Sequence, residues 1–244
     1  MAVAGLSGLA PAPWAGAAPG PPGVAARDAV LGRSVDGRPI RVTRMGDPRA
    51  PTRVLVVGSI HGNERAGVAV VRWLRAHRIR QPRVELWLVW NLNPDGAAAT
   101  TRQNAHGVDL NRNFPDAWRG GGRPFGTFYP GPRPLSEPES RLAARLVRRL
   151  HPAVTIWFHQ ALTLVDTGTA NDPRLPRRYA RLSGLPARRL AFLPGVATRW
   201  ENHRDATSSA FVVELPGGNL APAAVARQGR AVRAVASYAA ARFR

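Results

Sequence analysis

Apolar residues along the chain fall into four short unbroken runs and a set of helical stripes. The runs are 53–58 (RVLVVG), 84–90 (VELWLVW), 154–158 (VTIWF) and 210–214 (AFVVE). They are rich in β-branched and aromatic residues, are bounded by turn residues and show almost no polar alternation. Strands covered on both faces look like this. Between the runs the period changes: Val70, Trp73, Leu74 and His77 recur at i, i+3, i+4 and i+7, and Leu142, Leu146 and Leu150 form a second stripe. Each is the pattern of a helix face. Ser136 and Glu139 precede the second stripe with the spacing of a capping box, Ser136 as N-cap and Glu139 at N3. A final alanine-rich stretch, 221–243, reads as a long helix loosened by Gly229. Strands alternating with helices predict an α/β fold, three layers α/β/α around a mixed, largely parallel central sheet.

Two long stretches, 91–110 and 115–135, interrupt this pattern and read as irregular. Loops of that length in a small domain are usually functional or disordered. The second carries Trp118, Phe125, Phe128 and Tyr129 among glycines and prolines. Two readings stand side by side: a specificity loop over a cleft, or aromatic side chains pinning a loop to the core. Residues 1–27 form an Ala/Pro/Gly-rich arm whose prolines forbid a helix, followed by a folded domain at 28–244. The arm lacks the basic start of a signal peptide, so it reads either as disordered or as the remnant of such a peptide. The first case suits a cytoplasmic protein and the second a secreted or cell-wall one. No apolar run approaches the roughly 18–20 residues of a membrane span.

Charge changes the picture less than its size suggests. The 244 residues include 35 basic and 15 acidic side chains, a formal net charge of +20, and every one of those basic residues is arginine. Such a balance invites a nucleic-acid reading. The arginines are scattered, however, with no run longer than two. Missing lysine together with abundant Ala, Gly and Pro points to a GC-rich coding sequence, so no specific nucleic-acid partner is expected. The absence of cysteine has sharper consequences. It excludes a disulfide scaffold, a thiol nucleophile and a zinc site built on thiolates.

Open α/β sheets bind ligands beyond the carboxyl ends of their strands. The polar residues found there are His61 and Glu64 after the first run, Asn91, Asn93 and Asp95 after the second, His159 and Gln160 after the third, and Glu214 at the end of the fourth. His61 and Glu64 are three apart at a strand-to-helix turn. With His159 they make a His₂Glu set, the composition of catalytic zinc sites that keep a fourth position open. Each piece alone is weak, since His-x-x-Glu recurs by chance and a lone strand-end histidine is commonly a core residue. Their coincidence at three strand ends carries the weight. Glu214 suits a general base that is not itself a ligand, its plainer reading being a carboxylate paired with one of the many arginines. Asp109 is available to orient a ligating histidine.

Taken together, residues 61–64 (HGNE), 93–96 (NPDG), 102–115 (RQNAHGVDLNRNFP), 136–139 (SEPE), His159 and 214–216 (ELP) resemble the zinc metallocarboxypeptidase family. Within it the chain looks most like the bacterial murein-peptide amidase branch, which cleaves the γ-D-glutamyl–diaminopimelate bond. The resemblance runs from about Leu31 to the C-terminal helix. It implies a zinc-peptidase fold, one zinc ion per chain held by His61, Glu64 and His159, and a small peptide substrate with a free carboxylate. It further implies that Glu214 activates the attacking water and passes its proton to the leaving amine. Arg102 would stabilise the oxyanion, Asn111 and Arg112 would grip the terminal carboxylate, and Asp109 would orient His61. One feature departs from the family. Its digestive members carry a mobile tyrosine about two dozen residues before the catalytic glutamate, whereas here no tyrosine lies between Tyr179 and Glu214. Phe192, Trp200, Asn202 and His203 occupy that region instead.

Two other functions fit parts of the pattern. An N-acyl amino acid deacylase of the related aspartoacylase-like family shares similar His-Gly-Asn-Glu and Asp-Leu-Asn-Arg segments, although 93–96 and 107–109 favour the peptidase. A basic module that tethers to an anionic or cell-wall polymer, without activity, would explain the charge but not the motif set.

Overall fold

Each strand at the centre of the molecule buries both faces, as its unbroken apolar run requires. The computed structural model describes residues 26–77 and 82–242. Its seven-stranded sheet contains β1 (Arg27–Arg33), β2 (Pro39–Gly46), β3 (Thr52–Val57), β4 (Val84–Val89), β5 (Val154–Asp166), β6 (Ala187–Arg188) and β7 (Ser209–Pro216). The order is β1-β2-β4-β3-β5-β6, with β7 paired to β5. β3 runs parallel to β4 and β5, and β5 parallel to β6 and β7, while β1 and β2 add antiparallel at one edge.

The described residues also form the α-helices α1 (Ala66–Ala76), α2 (Pro94–Ala99), α3 (Pro138–Leu150), α4 (Arg174–Ser183), α5 (Ala197–Arg204) and α6 (Pro222–Arg242). Alternate strand residues feed two separate apolar layers. Val54, Val56, Leu86, Leu88, Ile156, Phe158, Phe211 and Val213 pack with α1, α4 and α6. Leu55, Val57, Trp87, Val89, Trp157 and Ala210 pack with α3 and α5. The result is the three-layer α/β/α fold with a mixed, largely parallel sheet that the sequence predicts.

Four expectations need correction. The stretch 91–110 is not wholly irregular, because Asn93 Oδ1 accepts from Gly96 N at 2.8 Å and Pro94 opens the short helix α2. The capping box does not form. α3 begins at Pro138 with Glu137 as its N-cap and no side-chain cap bond. Ser136 Oγ instead accepts from Asn113 Nδ2 (2.9 Å) and donates to Glu137 (2.7 Å), while Glu139 accepts from Val35 N (3.0 Å) and Asn104 Nδ2 (3.1 Å). Gly229 does not loosen α6. A Cβ placed there would sit 2.0 Å from Trp73 Cε3, so the glycine lets α6 lie close against α1. Finally, β5 and β7 run past the predicted ends, which puts His159 inside its strand rather than beyond it and carries β7 past Glu214, the predicted last residue, to Pro216. The arm expected at 1–27 falls outside the described residues up to residue 25, and β1 starts at Arg27; Phe243 likewise lies outside them.

Candidate active site

Sheet register assembles the site. β3 lies beside β5 with Val57 opposite Trp157, so the turn that follows β3 rises next to the end of β5. His61 sits in this turn, and Glu64 just before α1. On the other side β7 pairs with β5 so that Glu214 stands directly opposite His159. Residues from three distant parts of the chain therefore meet at one edge. Gly62 permits the approach of the turn to α2, since a Cβ there would lie 2.0 Å from the carbonyl carbon of Gly96.

His61, Glu64 and His159 point one atom each at a common centre, and all three residues are buried. His61 Nδ1 is 2.9 Å from Glu64 Oε1, His159 Nδ1 is 3.1 Å from Glu64 Oε2, and the two Nδ1 atoms are 3.2 Å apart. Ligands about 2.0–2.1 Å from a tetrahedral zinc ion are separated from one another by about 3.3 Å. The observed spacings are close to that edge length, and two imidazoles and a carboxylate are an ordinary zinc donor set, so these residues fit the ion.

Asp109 holds the arrangement from behind. Fully buried, its Oδ1 accepts from His61 Nε2 (3.0 Å) and from Asn111 N (2.9 Å), and its Oδ2 accepts from Arg102 Nε (3.0 Å). The bond from Nε2 leaves the His61 Nδ1 lone pair for the centre. Arg102 also donates Nη1 to Glu64 Oε1 at 3.1 Å. Burial alone would raise the pKa values of Glu64 and Asp109, but contacts with His61, joined by the His159 hydrogen bond at Glu64 and by Arg102 and Arg112 at Asp109, outweigh it and hold both below the usual carboxylate range. Burial acts in the same sense against a charged His61, yet Asp109 and Glu64 raise its pKa. Arg112 is shifted down, chiefly by its own burial.

Above the centre opens a cavity of about 520 Å³, lined by His61, His159, Glu214, Arg102, Asn111 and Arg112 among others. All the residues expected at the site thus come together, Asp109 directly behind the wall. Glu214 is buried, accepts from Leu162 N at 3.4 Å and has no arginine partner among the described residues, contrary to its plainer reading. Asn111 and Arg112 are set by local bonds: Ala197 N donates to Asn111 Oδ1 (3.0 Å), and Arg112 Nη1 donates to the Asn111 carbonyl (2.7 Å).

A family model for zinc carboxypeptidases matches residues 25–218. The chain belongs to the zinc carboxypeptidase family. Zn²⁺ is the cofactor of that family, and His61, Glu64 and His159 are the residues that would hold it. Among characterised relatives, the murein peptide amidase A of Escherichia coli K12 is 32% identical over 139 residues, covering 49% of this chain and 52% of the relative. The chain thus matches about half the length of that relative. The crystal structure of a murein-tripeptide amidase from Escherichia coli O157 superposes with a TM-score of 0.68 at 25% identity, covering 86% of this chain and 91% of that one. A carboxypeptidase A from Helicoverpa armigera shares the fold, with a TM-score of 0.76 at 17% identity over 89% of this chain and 69% of that one.

The 115–135 loop reaches the cavity wall, but its backbone carbonyls rather than its aromatic side chains tie it to the rest of the fold. Tyr129 O accepts from Asp109 N (2.8 Å) and Pro130 O from Asn113 Nδ2 (2.8 Å), which pins the loop. Phe128 stays exposed and forms a cavity wall, its ring 4.8 Å from the Arg112 guanidinium carbon and 5.7 Å from that of Arg102. Of the residues that replace the family tyrosine, only Phe192 lines the cavity. Trp200 packs in the core against Phe114, Asn202 bonds the backbone of Thr169 and Ala210, and His203 bonds Asp116. Sequence reasoning missed Asp166, Arg189 and Arg199, which also line the cavity. One aspartate in a bare strand and two arginines among thirty-five carry no local signal.

Proposed function

We propose that the protein hydrolyses an amide bond next to the free carboxylate of a small peptide, the peptide being a peptidoglycan-derived one with a γ-D-glutamyl–diaminopimelate bond. The observation that carries this reading is Glu214, an arginine-free carboxylate that faces the three-ligand centre across the β5–β7 register. Zinc held by His61, Glu64 and His159 would act as a Lewis acid on the scissile carbonyl and make water more acidic.

The chain's own groups supply the rest. Glu214 takes a proton from the attacking water and hands it to the leaving amine. Arg102 is immobilised by Glu64 and Asp109 and has further N–H groups to offer a developing oxyanion, without reorganisation. Arg112 has one guanidinium edge committed to the Asn111 carbonyl and presents the remainder to a substrate carboxylate. Phe128 covers both guanidiniums and limits their hydration. The likeness to murein peptide amidases supports a peptidoglycan fragment as substrate.

The test is a screen of the zinc-loaded protein against muropeptides of defined length and against N-acetyl amino acids, with Glu214→Gln alongside. The expected result is cleavage of γ-D-glutamyl–diaminopimelate peptides. The variant should keep stoichiometric zinc and lose about 10²–10⁴-fold in turnover. Near-normal turnover by the variant would overturn the assignment of Glu214, and faster hydrolysis of N-acetyl amino acids would overturn the substrate.

A further inference from the structure

Four guanidinium groups line the cavity, and three of them are engaged. Arg102 bridges Glu64 and Asp109, Arg112 bonds the Asn111 carbonyl, and Arg199 pairs with Asp116 at 2.8 Å while its guanidinium lies 4.2 Å from the Phe192 ring. Arg189 differs from all three: among the described residues it has no hydrogen-bond, ion-pair or ring partner. It is exposed, yet its backbone is not free to drift. The Arg188 carbonyl accepts from Thr167 N (2.8 Å), and Leu190 N donates to Asp166 Oδ1 (3.1 Å).

Asp166 is the companion of Arg189. It is buried, and it also accepts from Gly168 N (2.8 Å) and Thr169 Oγ1 (3.2 Å), so its carboxylate is fixed. The space over Gly168 lies between the two charges. A Cβ built on that glycine would be 3.1 Å from Asp166 Oδ1 and 3.6 Å from Arg189 Nε. The two side chains nevertheless form no ion pair. A held carboxylate and an uncommitted guanidinium thus flank one small space at the cavity wall.

We infer that Arg189 is a specificity residue that receives a second carboxylate, carried at the end of the side chain of the substrate's C-terminal residue, with Asp166 beside it favouring an ammonium on the same carbon. The ligand class is a residue whose side chain ends in a zwitterionic amino-acid group, as in meso-diaminopimelate. The inference rests on the proposed function in that Arg112 takes the first carboxylate. A guanidinium fork binds a carboxylate through paired hydrogen bonds. It repels the bare ammonium of a lysine side chain, so the discrimination has an attractive and a repulsive part.

A matched pair of substrates tests this, because γ-D-Glu–L-lysine lacks only the distal carboxylate of γ-D-Glu–meso-diaminopimelate. Wild type should prefer the diaminopimelate peptide in kcat/KM by about 10- to 100-fold, the worth of one charge-assisted hydrogen bond. Arg189→Ala should bring that ratio to within about threefold by slowing the diaminopimelate peptide and, with the repulsion gone, leaving the lysine peptide as fast or faster; a circular dichroism spectrum and zinc content equal to wild type would show an intact fold. Calorimetry with free meso-diaminopimelate and free L-lysine should report the same loss of preference in binding. The inference falls if Arg189→Ala slows both peptides equally or leaves the ratio unchanged. If wild type cleaves neither peptide, the proposed function fails. The calorimetric comparison still decides the role of Arg189, upholding it if the binding preference disappears in the variant and overturning it otherwise.

Discussion

Replacing Asp109 with asparagine keeps the outline of the side chain and removes one of its two acceptor oxygens. In the native site both are used: Oδ1 by His61 Nε2 and Asn111 N, Oδ2 by Arg102 Nε. The amide has two orientations, and each breaks something. With its oxygen toward His61, the NH₂ group faces Arg102 Nε, donor against donor. With its NH₂ toward His61, it faces the Asn111 amide and drives the His61 proton onto Nδ1. That atom lies 2.9 Å from Glu64 and 3.2 Å from His159, so the proton would occupy the lone pair meant for the metal. Losing the acceptor that orients a ligating histidine costs about 10–100-fold in metal affinity. One charge-assisted hydrogen bond is worth about 1.5–3 kcal/mol, the same range. Buried Arg112 also loses a nearby countercharge, so the metal-free protein should melt at a lower temperature. Competition with a chelator measures the zinc affinity of both forms, and kcat/KM at saturating zinc should fall further because, with the NH₂ toward Arg102, that guanidinium keeps only its bond to Glu64. A zinc affinity within twofold of wild type would refute this account of how His61 is held.

Two predictions concern stability. Burial raises the pKa of Glu201 from the ordinary 4.5 to about 7, partly offset by hydrogen bonds from Thr155, Trp157 and Ser208. The folded carboxyl therefore keeps a proton that the unfolded chain releases, and its contribution, full below about pH 4.5, is lost as pH rises to about 7. At about 1.4 kcal/mol per pH unit the loss is on the order of 3 kcal/mol; urea denaturation across pH 4.5–8 should show a falling slope that Glu201→Gln flattens. Gly229→Ala should destabilise by about 1–3 kcal/mol through overpacking on Trp73, despite a gain of about 1 kcal/mol in helix propensity. A raised urea midpoint in that variant would show that α1 and α6 have room to spare.

The strands legible from sequence were those whose side chains have only one place to go. β3, β4, β5 and β7 bury both faces, so their apolar runs are continuous and visible over a handful of residues. β1 and β2 at the sheet edge, and α4 with its arginine-rich surface, leave many positions to solvent, and their patterns were not distinctive. The same division applies at the site. His61 and Glu64 are three residues apart on one turn, and 108–112 carries its side chains on a single short segment, so covalent spacing alone brings them close. Ser136 shows the limit of such spacing: it had the sequence of a cap, but Asn113, 23 residues away, claimed its hydroxyl.

The sequence by itself determined the layered fold, the donor set for the metal and the absence of any thiolate in it, because hydrophobic period and residue type act locally. Tertiary structure decided which distant groups face one another. Only the β5–β7 register places Glu214 opposite His159 rather than beside an arginine. Only the packing around the cavity separates Arg189, without a partner among the described residues, from the arginines held by Asp109, Asp116 and Asn111. In a chain whose basic side chains are all arginine the residue type carries no distinction, and what each guanidinium does depends on which carboxylate or carbonyl the fold has put within reach.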